Sequence, residues 1–359
     1  MVRSIATLLT LIAMLISLSA CAQTGITTKE EDAPFRASEG QSPTGANPED
    51  SVNNTRGTGK PSIVCVIFPQ YDWVREILGE RSDRFDLTLL VDTLVDLHNY
   101  QPSVSDIIRI GTCDLFIHVG GNSDGWVDDV LKQSANPDMI VLNLIEVIGD
   151  AVKMELILEG MEHDCDDDCD DLGHNHDGDH VHEDEHVWLS LRFAKTICAA
   201  ITDVLSELDP DNAGYYSGNL TAYTDRLTSL DMEYQAAADA ANVTTLVFAD
   251  RFPFRYMMDD YGLGFYAAFS GCSAETEASF STIVFLATKV EELVLNHVMV
   301  TESADQSLAR TVINSTPRKS QQILVLNAMQ SVTRRDIDNG ATYLSIMESN
   351  LAVLREALG

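Results

Sequence analysis

The sequence predicts an α/β protein: two lobes of alternating strands and helices, joined by one long helix. Three observations carry this. Short apolar runs such as Ser62-Ile63-Val64-Cys65-Val66-Ile67-Phe68 are each followed by a segment of helical spacing, the pattern of buried parallel strands with helical crossovers. The pattern occurs twice, on either side of a stretch in which Tyr215, Tyr216, Leu220, Tyr223, Leu227, Leu230, Met232 and Tyr234 recur three or four residues apart. About 300 residues follow the N-terminal low-apolar segment, enough for one large or two moderate domains with a real core.

Residues 1–21 combine Arg3, an apolar run from Ile5 to Leu18 and small residues, which reads as a secretory signal too short to span a bilayer. Leu18-Ser19-Ala20-Cys21 is similar to a bacterial lipobox, so Cys21 is expected to be acylated and to hold the protein on a membrane without spanning it. Residues 22–60 are rich in Thr, Ser, Gly, Pro, Asn and Glu and read as a flexible tether. The first lobe, 61–208, opens with a strand over 62–68 ended by Pro69 and a helix from Tyr71 to Leu78. Further strands are expected over 85–91, 114–119 and 139–144, with helices over 104–110, capped by Ser103, and 126–133. Apolar spacing from Trp188 to Leu208 predicts a helix that closes the lobe, and the linker helix follows over 209–241. In the second lobe, 242–359, strands are expected at 245–249, 264–269, 297–301 and 322–326. Helices are expected at 254–261, 280–294, 308–314 and 343–358.

Residues 161–186 form an acidic loop in which His163, His174, His176, His180, His182 and His186 are set among Asp and Glu. Six of the nine histidines fall here, and imidazole with carboxylate is the donor chemistry of zinc and its neighbours. His182-Glu183-Asp184-Glu185-His186 matches H-E-x-x-H, which makes a zinc hydrolase only when a helix places both histidines on one face; the acidic surroundings give that helix nothing to bury. The formal net charge of −33 opposes nucleic-acid binding and favours cations. Cys65, Cys113 and Cys198 lie in apolar runs and read as buried thiols, whereas Cys165 and Cys169 are open between metal ligands and a disulfide. His118 and His297, in strand-like runs, read as core histidines.

Taken in order, several segments resemble the metal-binding solute receptors of bacterial ABC importers, the zinc and manganese cluster. They are Phe68-Pro69, His98-Asn99-Tyr100-Gln101-Pro102-Ser103 with Asp106, Cys113-Asp114-Leu115, His186-Val187-Trp188-Leu189-Ser190, Leu208-Asp209-Pro210, Asp260-Tyr261-Gly262-Leu263 and the 343–354 helix. The resemblance covers roughly 60–359. It implies a rigid linker helix, a metal site in the cleft between the lobes, and delivery to a membrane permease. It places the first two ligands on His98 and His186. The third falls on Arg251, whose guanidinium has no lone pair to give, and the last near Asn327, whose amide oxygen is a poor zinc ligand. Asp250 is therefore expected to supply a carboxylate at the end of a strand, with Glu275, and less so Glu277, as the next candidates.

The resulting expectation is an extracytoplasmic, lipid-anchored, monomeric receptor for zinc, with manganese or iron as the alternative cargo of the same fold. The loop histidines would supply weak auxiliary sites. The rivals from other classes are a zinc hydrolase built on His182, Glu183 and His186, and a metal-storage or adhesion lipoprotein in which the loop is the functional part.

Overall fold

A computed structural model describes residues 59–93, 97–161, 182–272 and 277–359. Cys21, His163, Cys165, Cys169, His174, His176, His180 and Glu275 lie outside the described residues. In the first lobe the order is β1 (Ser62–Cys65), α1 (Phe68–Leu78), β2 (Asp86–Leu89), α2 (Val104–Thr112), β3 (Leu115–His118), α3 (Val127–Leu131), β4 (Ile140–Asn143) and α4 (Leu144–Ile148). Then come α5 (Leu191–Leu208) and the long α6 (Ala213–Asp239). The second lobe follows as β5 (Thr245–Phe252), α7 (Arg255–Tyr261), β6 (Gly264–Ser270), α8 (Phe280–Glu292), β7 (His297–Thr301), α9 (Ser307–Ser315), β8 (Gln322–Leu326), α10 (Arg334–Asp338) and α11 (Tyr343–Leu358).

Each lobe is built on a four-stranded parallel sheet, in the orders β2-β1-β3-β4 and β6-β5-β7-β8. In both sheets the first strand of the lobe sits inside, between its second and third strands. The chain therefore reverses direction across the sheet there, and loops at the carboxyl ends of the strands part at that point to leave a crevice.

The strand over 62–68 stops early. α1 begins at Phe68 with Pro69 in its first turn, where the missing N–H costs nothing, so the proline starts the helix rather than only ending the strand. Ser103 caps α2 as expected: its Oγ accepts the Asp106 N–H, and Asp106 returns an acceptor to the Ser103 N–H. β5 runs past Ala249 to Phe252, and its register against β6 shifts between Phe248 and Arg251. Asp250 thus lies within a strand irregularity rather than beyond the strand's end.

The helix α6 buries Tyr216, Tyr223, Leu227, Leu230 and Tyr234 against α5, α1 and α11. Its start is pinned to the first lobe by Asp209, which accepts from Arg84 Nε at 2.7 Å, Arg84 Nη2 at 3.0 Å, Asn212 Nδ2 at 2.8 Å and Tyr216 Oη at 2.7 Å. Its other end reaches the second lobe, where Tyr234 Oη donates to the Met347 carbonyl at 2.7 Å. Among the described residues, no helix is long and apolar enough to cross a membrane.

Candidate metal centre

His98 and His186 come together although 88 residues of sequence separate them. His98 sits in a short 3-10 turn after β2. His186 opens another 3-10 turn, Val187–Leu189, which is held by the second lobe. Trp188 Nε1 donates to the Ala328 carbonyl at 2.8 Å, and Tyr343 Oη donates to the Trp188 carbonyl at 2.7 Å. The two imidazole rings are 5.5 Å apart, centroid to centroid.

Each ring is oriented by a carboxylate. His98 Nδ1 lies 3.0 Å from Glu185 Oε1, and His186 Nδ1 lies 2.8 Å from Asp184 Oδ1. A carboxylate only accepts, so both Nδ1 atoms carry the hydrogen and both Nε2 lone pairs face outward from these contacts. The two Nε2 atoms converge: each is 3.0 Å from the same atom, the amide nitrogen of Gln330. That NH2 group donates one hydrogen to each ring. Two imidazoles with carboxylate-fixed tautomers and converging lone pairs are the arrangement that metal-binding histidines adopt.

The carboxylates are themselves held. Glu185 is fully buried, and its oxygens accept from Ser123 Oγ and, at 3.1 Å, from the Ser123 N–H. Burial alone would raise the Glu185 pKa, but the hydrogen bond and charge of His98, then His186 and Ser123, hold it below the ordinary glutamate value. Burial likewise opposes the His186 imidazolium, but Asp184, Glu185 and Glu155 outweigh it and leave the ring above the ordinary histidine value. Gly271 gives the His186 ring its place, since a Cβ there would lie 2.8 Å from His186 Cε1 and 3.0 Å from the Phe252 carbonyl oxygen.

One ligand atom from each of His98, Glu185, His186 and Cys272 falls in a group whose members are all within 4.8 Å of one another. Cys272 follows β6, with its backbone N–H on Glu155 Oε1 at 2.9 Å and its Sγ 3.6 Å from Glu185 Oε1. Burial, then the carboxylates of Glu185, Glu155 and Asp184, push its thiol pKa far up. A cavity of about 380 Å³ opens beside this group, lined by His98, Asp250, Arg251, Phe269 and Cys272 among others.

Of the ligands expected from the sequence, the structure therefore brings together His98 and His186 and not Asp250. Asp250 borders the cavity, but its Oδ2 accepts the Thr301 N–H at 2.8 Å and the Thr301 hydroxyl at 2.5 Å, and its Oδ1 accepts the Arg251 N–H at 2.8 Å. The carboxylate ties β5 to β7 where the β5 register shifts, and its oxygens are engaged there. Asn327 is also structural: its Oδ1 accepts the Met329 N–H, and its backbone exchanges hydrogen bonds with the Asn350 amide. Gln330, three residues on, reaches the histidines instead. It is positioned by the half-buried Glu302, which accepts the Ala328 and Gln330 N–H groups at 2.7 and 3.1 Å.

The hydrolase motif does not form. Residues 182–186 are not helical: Glu183 makes an antiparallel bridge with Met154, and Glu155 N–H donates to the His182 carbonyl. His182 is exposed and outside the metal-competent group, while His186 is buried within it. His118 is buried on Asp124 Oδ2 at 3.0 Å, as a core histidine would be, and His297 is only partly buried, near Glu356. Asp184, Glu185 and Ser123 carry a signal only in retrospect, since an acidic tract reads as solvated until its last two members turn inward. Cys272 lies just beyond the strand expected at 264–269, the same kind of position that points to Asp250. Nothing local marks Gln330.

Residues 63–357 match the family described as zinc-uptake complex component A, periplasmic (ZnuA). The zinc-binding lipoprotein AdcA of Streptococcus pneumoniae is 31% identical over 304 residues, covering 85% of this chain and 57% of its own length. The high-affinity zinc uptake system protein ZnuA of Bacillus subtilis is 28% identical over 300 residues, covering 83% of this chain and 88% of its own. The chain thus spans a little over half of the streptococcal relative. Among solved structures, the Zn(II)-bound ZnuA-like domain of Streptococcus pneumoniae AdcA superposes with a TM-score of 0.64 at 27% identity, over 84% of this chain and 99% of that one. With a family match across the whole two-lobed body, and paired histidines in the crevice between the lobes, the chain belongs to the periplasmic zinc-uptake component A (ZnuA) family.

Proposed function

We propose that this protein is the extracytoplasmic receptor of a zinc importer: it captures Zn²⁺ between its lobes and hands it to an ABC permease. The observation that carries this is the convergence of the His98 and His186 Nε2 atoms on one point, each ring fixed by a carboxylate on its far side. Converging imidazoles suit zinc, and the zinc-binding relatives support that cation over manganese. Both histidines come from the first lobe, and the amide between them from the second. The second lobe must supply a ligand as well, because only an ion held from both lobes shifts an open–closed equilibrium that a permease can read.

Acylation of Cys21 would hold the receptor on the outer face of the membrane, with 22–60 as its tether. The loop histidines His163, His174, His176, His180 and His182 would act as weak sites that raise the local zinc concentration. Glu275 keeps its place as a further carboxylate that could approach the cleft. Competition with a zinc chelator tests the reading. His98→Ala and His186→Ala should each abolish tight binding, while deletion of 163–182 should leave one tight site and lower only the number of weak ones. If the loop deletion removed tight binding and His98→Ala did not, storage in the loop would replace the receptor reading.

A further inference from the structure

We propose that Cys272 is the second lobe's ligand to the cation, so that the cleft binds through two imidazoles and a thiolate and selects zinc over manganese. The inference rests on the cleft reading above and adds to it which side chain of the second lobe closes the site. Three observations place Cys272 there. Its ligand atom belongs to the same group, within 4.8 Å, as those of His98 and His186. The residue before it is Gly271, whose missing Cβ lets this backbone close directly on the His186 ring. Its own N–H is anchored on Glu155 Oε1 at 2.9 Å, which fixes where the side chain starts.

The alternatives in the second lobe are engaged otherwise. Asp250 is bound to Thr301 and to the backbone of Arg251. Arg251 has no lone pair to offer. Asn327 builds the turn after β8. Gln330 turns its amide NH2, which cannot ligate, toward both histidines. Cys65, Cys113 and Cys198 are fully buried in the first-lobe core, so Cys272 is the cysteine among the described residues that meets the cleft.

Tetrahedral zinc with bonds of about 2.0–2.3 Å holds its ligand atoms roughly 3.3–3.8 Å apart. The group must therefore contract by about 1 Å from its present limit, with the Gln330 NH2 leaving the point between the imidazoles. Glu185 stays as the acceptor that orients His98, because its oxygens are taken by His98 and Ser123. On binding, a metal–sulfur bond forms and the thiol proton passes to solvent; no electron is transferred. A soft thiolate favours zinc, whereas manganese prefers oxygen donors.

Cobalt(II) is the probe. The full chain loaded with one equivalent should show the strong near-ultraviolet absorption of a thiolate-to-cobalt charge transfer. Cys272→Ser should lose it while still binding cobalt through the histidines. A Cys165→Ser/Cys169→Ser double variant should keep it. In chelator competition, Cys272→Ser and Cys272→Ala should each lose zinc affinity by at least ~10-fold, the lower end seen even for groups behind the ligands. Manganese affinity should change less, so the zinc-to-manganese ratio falls; a parallel loss for both ions would overturn the selectivity claim. An absorption band that survives in Cys272→Ser, or is absent from the wild-type protein while His98→Ala still abolishes binding, overturns the thiolate and leaves the receptor reading intact. If neither His98→Ala nor Cys272→Ser weakens tight binding, both fail.

Discussion

In the proposed cleft site, Gln330 and Gly271 lie directly against the two histidines. The Gln330 NH2 occupies the point on which both Nε2 lone pairs converge, 3.0 Å from each. A carboxylate of the same length would place an anionic oxygen there instead of a donor. Gln330→Glu is therefore expected to raise zinc affinity, on the order of 10-fold, as read by chelator competition; unchanged or weaker binding would show that the side chain swings away before the ion enters. Gly271→Ala should do the opposite. The added Cβ meets a fully buried imidazole on one side and a backbone carbonyl on the other, neither of which can give way cheaply. The expected result is a displaced His186 ring and weaker zinc binding with the fold retained.

At the scale of elements, the linker helix and the last helix carry the connection between lobes. Asp209 is the buried acceptor that fixes the start of α6, and one of its partners is the fully buried Tyr216 hydroxyl. Asp209→Ala leaves that hydroxyl and Arg84 without their acceptor and should lower stability by about 1–3 kcal/mol in urea unfolding. A second carboxylate, Asp72 on α1, accepts the N–H of Tyr343 at the first turn of α11, at 2.7 Å. Burial raises its pKa from 3.8 to about 6, against the Tyr343 hydrogen bond, which lowers it. A carboxyl whose folded pKa is raised adds stability that is full below its unfolded pKa, near 4, and is lost as pH rises through about 6. Melting temperature attributable to this group should thus fall between pH 4 and pH 7. Asp72→Asn keeps an oxygen for Tyr343 and should flatten that slope; an unchanged profile would mean that Asp72 is already ionised at pH 5.

At the scale of the whole molecule, charge works with the cleft. A net charge of −33 surrounds the cleft proposed to take a dication, a field that favours cations and opposes polyanions. Zinc association should slow with added salt, and slow less after deletion of 163–182, which removes part of the acidic field. Stopped-flow binding at two ionic strengths reads this directly. Equal salt dependence with and without the loop would confine the steering to the lobes. Location is a separate matter: on the proposed acylation of Cys21, Cys21→Ser is expected to release the protein from the membrane fraction.

The sequence by itself determined the alternation of strand and helix in both lobes and the long amphipathic helix between them, and it singled out His98 and His186, whose rings the fold brings together. Each of these is written in local periodicity or in a short motif, and apolar spacing needs no tertiary contact to be read. Errors of detail were also local, as where Pro69 starts α1 rather than closing a longer strand. Only the tertiary structure decided what meets those histidines. Glu185 looked like one more solvated acid until Ser123, 62 residues away, turned it inward. Asp250 had the right chemistry at the right strand, yet the shift in the β5 register sends its carboxylate to Thr301. Cys272 and Gln330 arrive from β6 and β8 through loops whose course depends on how two sheets set their carboxyl ends around one crevice. Ligand geometry is a sum of such long-range placements, and no single stretch of chain contains it.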